Sequence, residues 1–277
     1  MAIILFAGVI DLLGGVAGLK EFKASLLASH GFVALTLDYF TPDESGEFPP
    51  YFELEYFEEA AHWLSNHPKV LPGGIGLHAI CFGSWIALLL ASFRSDVIKA
   101  NVAISPVSTA GLSSYKYRGK VSEILPIHEN KLMTTEHGLV FRYAIPSVTE
   151  NNGLGSTFPA ITPSENISCP VLVIYGTGDL NVNSDFSANQ VYERMKKNGK
   201  GHLCSVLRYP GAGYLIEPPY TPHCYSSHAP HRYGPDPYMV WGGETEAHAQ
   251  AQADAWPKIL AFLRRNISQN ARVKSNL

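Results

Sequence analysis

A parallel β-sheet covered by helices on both faces is the fold class that the sequence predicts. Three observations predict it. Short, almost wholly apolar runs recur at residues 3–10, 75–80 and 171–175, which is how strands buried on both faces read. Longer segments with apolar positions at helical spacing lie between such runs, as at residues 52–66 and 246–270. Strand and helix alternate along most of the chain, the pattern of parallel sheets. The length of 277 residues suits one large α/β domain with a sizeable core.

Residues 3–10 read as the first strand, followed by a glycine-rich loop over 11–18. Residues 19–30 read as a helix facing inward with Leu19, Phe22, Leu26 and Leu27, and Gly31 supplies a C-terminal stop. A second strand follows at 32–38, then a polar loop at 41–50. The helix expected over 52–66 turns Phe57, Ala60, Ala61 and Leu64 inward. Residues 75–80 form a strand that runs almost without interruption into a helix at 84–90, and 100–104 is the next strand. The period is then lost over about 106–166, a stretch long enough to be a lid-like insertion over a site. It resumes with a strand at 171–175 ending in Gly176-Thr177-Gly178-Asp179. A helix at 184–198 carries Ser184 as its cap and Asp185 in its first turn. The last strand is 204–209, and a loop crowded with Pro, Tyr and His fills 217–243. A final helix over 246–270 places Ala253, Trp256, Ile259, Leu260 and Leu263 on one face.

Composition excludes several functions. The net charge of −3 comes with no basic stripe, so nucleic acid is not an expected partner. Four widely spaced cysteines, Cys81, Cys169, Cys204 and Cys224, contain no C-x-x-C pair. That argues against a disulfide framework or a zinc site and for a reducing compartment. The apolar start, residues 1–19, lacks a basic leader and carries Asp11 among glycines. It reads as a core strand and its loop, not as a signal peptide or membrane span.

The chemistry centres on Ala79-Ile80-Cys81-Phe82-Gly83. A strand that turns this tightly into a helix has the layout of a nucleophile elbow, normally G-x-S-x-G, in the α/β-hydrolase fold. Here the nucleophile would be a thiol and the first glycine is alanine; a buried structural cysteine in an ordinary turn is the alternative. Asp179 stands directly after a strand, where such a fold places its acid, unless it serves only as a turn former. The oxyanion hole would combine the N–H of Phe82 with one from residues 12–16, taken as Gly14. Facing a helix N-terminus, the thiol is expected to have a lowered pKa.

Several longer blocks add a resemblance. Tyr209-Pro210-Gly211-Ala212-Gly213, Ile216-Glu217-Pro218-Pro219-Tyr220, Trp241-Gly242-Gly243-Glu244, Ala247-His248-Ala249 and Ala253-x-x-Trp256 are similar to one family, as are residues 24–28 and 54–60. It is the family of acyl-CoA thioesterases and bile acid-CoA:amino acid N-acyltransferases. The resemblance implies an α/β-hydrolase catalytic domain, acyl-CoA as substrate, no metal or redox cofactor, and release of the acyl group to water or to glycine or taurine. It places Cys81 on the transferase side of the family and Asp179 on its acid. The family's N-terminal β-sandwich domain is absent from this sequence.

The resemblance also places Tyr214 where the family carries its catalytic histidine. A phenol titrating near 10 is a poor base at neutral pH, whereas an imidazole near 6.5 suits the task. Other histidines are poor substitutes. His78 precedes the nucleophile on a buried strand, His202 lies at the wrong end of the sheet, and His248 belongs to a matched block. His223, His228 and His231 occupy a loop and could fold back. A thiol, unlike a serine, retains some nucleophilicity without a base. The expected function is therefore an acyl-CoA thioester hydrolase or N-acyltransferase. The alternatives are an impaired relative that only binds acyl-CoA, or a dienelactone-hydrolase-like enzyme. The final Ser275-Asn276-Leu277 is close to the S-K-L address read by the peroxisomal import receptor, so the expected location is the peroxisome, with cytosol as the alternative.

Overall fold

The computed structural model describes residues 4–15, 18–40, 50–109, 111, 113–148, 160–228 and 238–274. In chain order the strands are β1 (Ala7–Leu12), β2 (Phe32–Thr36), β3 (Tyr51–Glu53), β4 (Ile75–Ile80), β5 (Ile98–Ile104), β6 (Ser114–Tyr117), β7 (Lys120–Val121), β8 (Met133–Thr135), β9 (Gly138–Val140), β10 (Val171–Gly176), β11 (Cys204–Tyr209), β12 (Ser226–His228) and β13 (Tyr238–Val240). The helices are α1 (Phe22–Ser29), α2 (Leu54–Ser65), α3 (Phe82–Phe93), α4 (Ser184–Lys197) and α5 (Thr245–Lys274).

Six strands build one sheet in the order β11-β10-β5-β4-β1-β2, and every pairing in it is parallel. Its two faces carry two cores. Phe57 and Leu64 of α2, Trp85 and Leu89 of α3 and Val191 of α4 pack on one side. Leu27 of α1 with Trp256, Ile259 and Leu263 of α5 pack on the other. Alternation along β4 feeds both: Ile75, Leu77 and Ala79 enter the first core and Ile80 the second. Gly76 lets α5 come close, because a Cβ there would lie 2.7 Å from Ile267 Cδ1. This is the α/β-hydrolase fold, with its loops gathered at the carboxyl ends of the strands. Among the described residues, no helix is long and apolar enough to cross a membrane.

Several expectations shift. The first strand runs from Ala7 to Leu12 rather than over 3–10, so Asp11 is strand and not loop. It is tolerated at full burial because it sits opposite His78 on β4, with Asp11 Oδ1 2.7 Å from His78 Nδ1. Helix α1 begins at Phe22, and the inward face is Lys23, Ala24 and Leu27, leaving Leu19, Phe22 and Leu26 substantially exposed. Lys23 goes inside because its ammonium meets Glu217 at 3.0 Å, an ion pair that no local period reveals. In α5 Ala253 faces solvent and Ala255 packs inward. Residues 106–166 are not without regular structure. They supply β6 and β7 to a small sheet with β3, and β8 and β9 to another with β12 and β13 from the loop expected at 217–243.

Candidate active site

Cys81 stands at the junction of β4 and α3 with φ 60° and ψ −128°. A non-glycine residue held there costs about 1–3 kcal/mol, so its surroundings must over-determine it. They do. The Cys81 N–H donates to the Ile104 carbonyl at 3.0 Å, and its carbonyl accepts from the Ser84 N–H at 2.9 Å and from the Ser84 hydroxyl. Ser84 Oγ also accepts from the Val107 N–H at 3.1 Å, which ties the elbow to the loop after β5. The result is a half-buried thiol raised at the top of the sheet.

The backbone amides of Phe82 and Gly15 both act on that thiol, each favouring its ionised form. In the 12–16 loop the amide that acts on the thiol is that of Gly15, one residue beyond the expected Gly14. The chain passes so close at Gly14 that a Cβ would lie 2.9 Å from Cys81 Cβ and 3.1 Å from Sγ, and the next peptide presents its N–H. The hydroxyl of Tyr39 donates to the Leu13 carbonyl and so fixes this loop. Tyr39 is buried deeply enough that its phenol is pushed well above its ordinary range, first by desolvation and then by the neighbouring Cys81 and Asp11. The thiol itself is raised, not lowered as the helix N-terminus suggested. Desolvation is the largest influence and outweighs those of Tyr214, Phe82 and Gly15, while Asp179 adds to the rise.

Tyr214 completes the contacts of the sulfur. Cys81 packs against its ring cluster, and the Tyr214 hydroxyl favours the thiolate form of Cys81. The ring stacks on Trp241 with centroids 5.4 Å apart and planes 13° from parallel, and Ile145 and Val182 pack around it. Its backbone is held as firmly: the N–H donates to the Trp241 carbonyl at 3.1 Å, and its carbonyl accepts from Ser105 Oγ at 2.6 Å. Burial lifts this phenol well above its ordinary value, with Cys81 next in effect. At neutral pH it is an uncharged hydroxyl.

Asp179 is fully buried, and its carboxylate is occupied from its own loop. Oδ1 accepts from the N–H groups of Asn181 and Val182 at 2.8 and 3.0 Å, and Oδ2 accepts from the Ser184 hydroxyl. Arg142, from the 106–166 segment, braces the turn by donating to the Asp179 carbonyl at 2.9 Å and to Asp185 Oδ1 at 2.7 Å. Desolvation nevertheless wins and moves the Asp179 carboxyl from 3.8 to about 7. The folded state thus holds this proton more tightly than the unfolded chain. Stability from this group is greatest below the ordinary carboxyl range and is lost as pH rises towards 7. Between pH 5 and pH 8 the loss should be about 2–3 kcal/mol, at 1.36 kcal/mol per pH unit. Asp179→Asn keeps an acceptor for the two amides and removes the titration. Its melting temperature should exceed that of the wild type increasingly from pH 5 to pH 8, as read by calorimetry. A constant offset would show that Asp179 is already ionised across that range.

The described histidines do not reach the sulfur. His248 Nδ1 accepts from the Gly213 N–H at 3.1 Å and Nε2 donates to the Leu215 carbonyl at 2.8 Å. His223 uses its nitrogens on Thr245 Oγ1 and the Gly242 carbonyl, both at 3.1 Å. His78 lies against Asp11 and Trp256 on the face of the sheet covered by α5. His202 sits before β11 at the opposite end of the strands, and His228 is exposed on β12. His231 and residues 275–277 lie outside the described residues.

The comparisons with known proteins meet this geometry. Residues 52–269 match the family model described as BAAT / Acyl-CoA thioester hydrolase C terminal. The chain belongs to that family. A bile acid-CoA:amino acid N-acyltransferase from Mus musculus is 40% identical over 262 residues, covering 95% of this chain and 60% of that protein. Acyl-coenzyme A thioesterase 1 from Homo sapiens is 34% identical over 263 residues, covering 95% and 60%. The chain thus spans about 60% of the length of these curated relatives. Among solved structures, a dienelactone hydrolase from Klebsiella pneumoniae superposes with a TM-score of 0.53 at 16% identity, covering 95% of this chain and 88% of the other. The α/β hydrolase GrgF from Penicillium gives 0.54 at 16%, covering 96% and 92%. These two establish the fold alone.

For this member of the BAAT / acyl-CoA thioester hydrolase family, sequence reasoning singled out Cys81, Phe82, Asp179 and Tyr214, and the structure brings them together. It missed Gly15, Tyr39, Trp241 and Arg142. Trp241 and Gly15 lay in blocks already noted, but their part depends on which loops meet. Tyr39 and Arg142 offered no local signal.

Proposed function

We propose that the chain transfers acyl groups from acyl-CoA thioesters through Cys81. The Cys81 sulfur attacks the carbonyl carbon, its proton leaving with the departing CoA sulfur, and the carbonyl oxygen gains negative charge that the N–H groups of Phe82 and Gly15 would stabilise. The carbon–sulfur bond to CoA then breaks and leaves the acyl group on Cys81. Relatives whose names are N-acyltransferase or thioesterase suggest an amino acid, such as glycine or taurine, or water as final acceptor. The reaction calls for no metal or redox cofactor. The observation that carries this reading is the strained, half-buried Cys81 at the junction of β4 and α3, with the Gly14 backbone pressed against its sulfur. Cys169 and Cys204 are buried, and desolvation pushes each thiol up to about 12.

Intact-protein mass spectrometry after incubation with palmitoyl-CoA tests this. An added palmitoyl group that is absent from Cys81→Ala is the expected result. Failure to form an adduct, together with no turnover of palmitoyl-CoA, would leave the second reading, a relative that binds acyl-CoA without reacting. Tyr214 in place of the family's histidine favours that second reading. A dienelactone-hydrolase-like activity would need a histidine at the sulfur and is disfavoured by the same residue.

We also place the protein in the peroxisome on the strength of Ser275-Asn276-Leu277, with cytosol as the alternative. A reporter ending in the last dozen or so residues should become punctate and disperse when Leu277 is removed. A diffuse reporter with the tail intact would remove the assignment.

A further inference from the structure

We propose that His248 is a positioning residue of this site: its imidazole clamps the backbone on both sides of Tyr214 and so holds a wall of side chains against Cys81. Its part in the reaction rests on acyl transfer through Cys81. The wall is a packed group in which Ile145, Val182 and Tyr214 are buried, and Cys81, Val107, Leu215 and Trp241 pack against them. Tyr214 and Leu215 are neighbours in the loop after β11, so whatever fixes that loop fixes what covers the thiol. The Glu244 N–H donates to the Gly211 carbonyl at 2.8 Å, and the Tyr214 N–H to the Trp241 carbonyl at 3.1 Å. One buried side chain at the start of α5 then supplies two further bonds. His248 Nδ1 accepts from the Gly213 N–H at 3.1 Å and Nε2 donates to the Leu215 carbonyl at 2.8 Å. Tyr214 lies between those two anchors.

Only a neutral imidazole with its proton on Nε2 can make both bonds. A second proton, on Nδ1, would set N–H against the Gly213 N–H and break that half of the clamp. The groups that face the ring are few among the described residues. His223 lies against it with centroids 4.8 Å apart and planes 37° from parallel. Glu217, in its ion pair with Lys23 of α1, and Glu244, whose carboxylate lies beside Gly211, come from the adjoining loops. Burial is the largest influence and pushes the ring below its ordinary 6.5; the Leu215 bond opposes it, His223 adds to the fall and Glu217 resists it. The clamp is therefore complete above 6.5 and is lost as pH falls through the lowered value.

Releasing the loop has opposite consequences for two reactions of one sulfur. Desolvation is the largest influence on the Cys81 thiol and holds it protonated. A loosened wall admits water, so the thiol ionises more readily and a small alkylating reagent reaches it faster. An acyl-CoA needs more than a free thiol. It needs its carbonyl held against the sulfur, and loses that surface when Tyr214 and Leu215 move.

The experiment follows palmitoylation of Cys81 by palmitoyl-CoA and its alkylation by iodoacetamide, both by peptide mass spectrometry, from about pH 5 to pH 8. His248→Ala removes both bonds, whereas His248→Gln keeps an acceptor and a donor and cannot titrate. In His248→Ala, acylation should fall by about tenfold or more, the scale of a lost hydrogen bond, while alkylation rises. His248→Gln should recover most of both. The wild-type rate divided by that of His248→Gln cancels the titrations of Cys81 and Asp179. For acylation this ratio should be constant above 6.5 and fall below it; for alkylation it should rise below it. Cys169 and Cys204 are buried and should stay unreactive throughout. Ratios that are flat with pH, or wild-type rates in His248→Ala, would overturn the clamp. So would labelling of Cys169 and Cys204 in step with Cys81, which marks general unfolding, or loss of the pH dependence in His223→Ala. No acylation in any variant, with the alkylation pattern as expected, would sink acyl transfer and leave the clamp standing.

Discussion

Tyr214→His is expected to raise hydrolysis or aminolysis of an acyl-CoA by about 10²- to 10³-fold, the lower half of the range for a general base, because the thiol already supplies part of the reactivity. The position is ready for an imidazole. Its backbone is pinned by Ser105 and Trp241, Trp241 offers an aromatic face to stack on, and the side chain belongs to the cluster that packs against Cys81. Asp179 is close enough to raise both Tyr214 and Cys81. Its carboxylate has about four acceptor directions, so an imidazole N–H can join the three donors it already has. That contact would change Asp179 as well. With an imidazolium forming beside it, the carboxylate gains a reason to ionise and its pKa should fall from about 7.

The controls separate the reading from its rivals. The gain should vanish when Cys81→Ala is added, since a base then has nothing to activate. It should shrink when Asp179→Asn is added, because the imidazole loses the group that fixes its tautomer. Steady-state kinetics over pH 6–9 check this, and the new rate should show an inflection near the imidazole range, about 6.5. No gain in an otherwise well-folded Tyr214→His would mean that Asp179 and Cys81 are not arranged as an acid and nucleophile.

How far the sequence could be read follows from the range of each interaction. The elbow was legible because everything it needs is local: an apolar strand, Cys81, Gly83 and an apolar helix in succession. Asp179 was legible for the same reason, through the turn that follows β10. What failed depended on partners far along the chain. Lys23 reads as polar surface until Glu217, 194 residues away, is seen beside it. Asp11 reads as a loop until His78 stands opposite it on β4. The pairing of β9 with β13 brings Leu139 to Met239, across segments in which no period survives. The thiol pKa failed differently. The helix N-terminus was identified correctly, but its effect competes with desolvation, and the depth of burial is not a local property.

The second large effect belongs to Gly83. A Cβ added there would lie 2.3 Å from the Leu12 carbonyl oxygen and 2.5 Å from that of Leu13, both backbone atoms with no rotamer to move into. Helix α3 and the end of β1 touch at this point, and nothing but a hydrogen fits between them. Gly83→Ala must therefore push the Leu12–Leu13 backbone away from the elbow by most of an ångström. Overpacking of this kind typically costs about 1–3 kcal/mol, and backbone that cannot yield puts the expected loss at the upper end or beyond. The displacement also has a direction. Leu13 carries the carbonyl that Tyr39 holds, and Gly15, two residues later, carries the amide that acts on Cys81. Moving that loop would withdraw one of the two donors proposed for the developing oxyanion, an expected loss of about 10²–10³ in the acylation rate. Acylation of Cys81 should fall by that factor even at temperatures where the variant remains folded by circular dichroism. Alkylation of the thiol by a small haloacetamide, which needs no oxyanion hole, should fall much less. Equal losses in the two reactions would show that Gly83→Ala acts through the thiol alone, and that the Gly15 amide has no part in the chemistry.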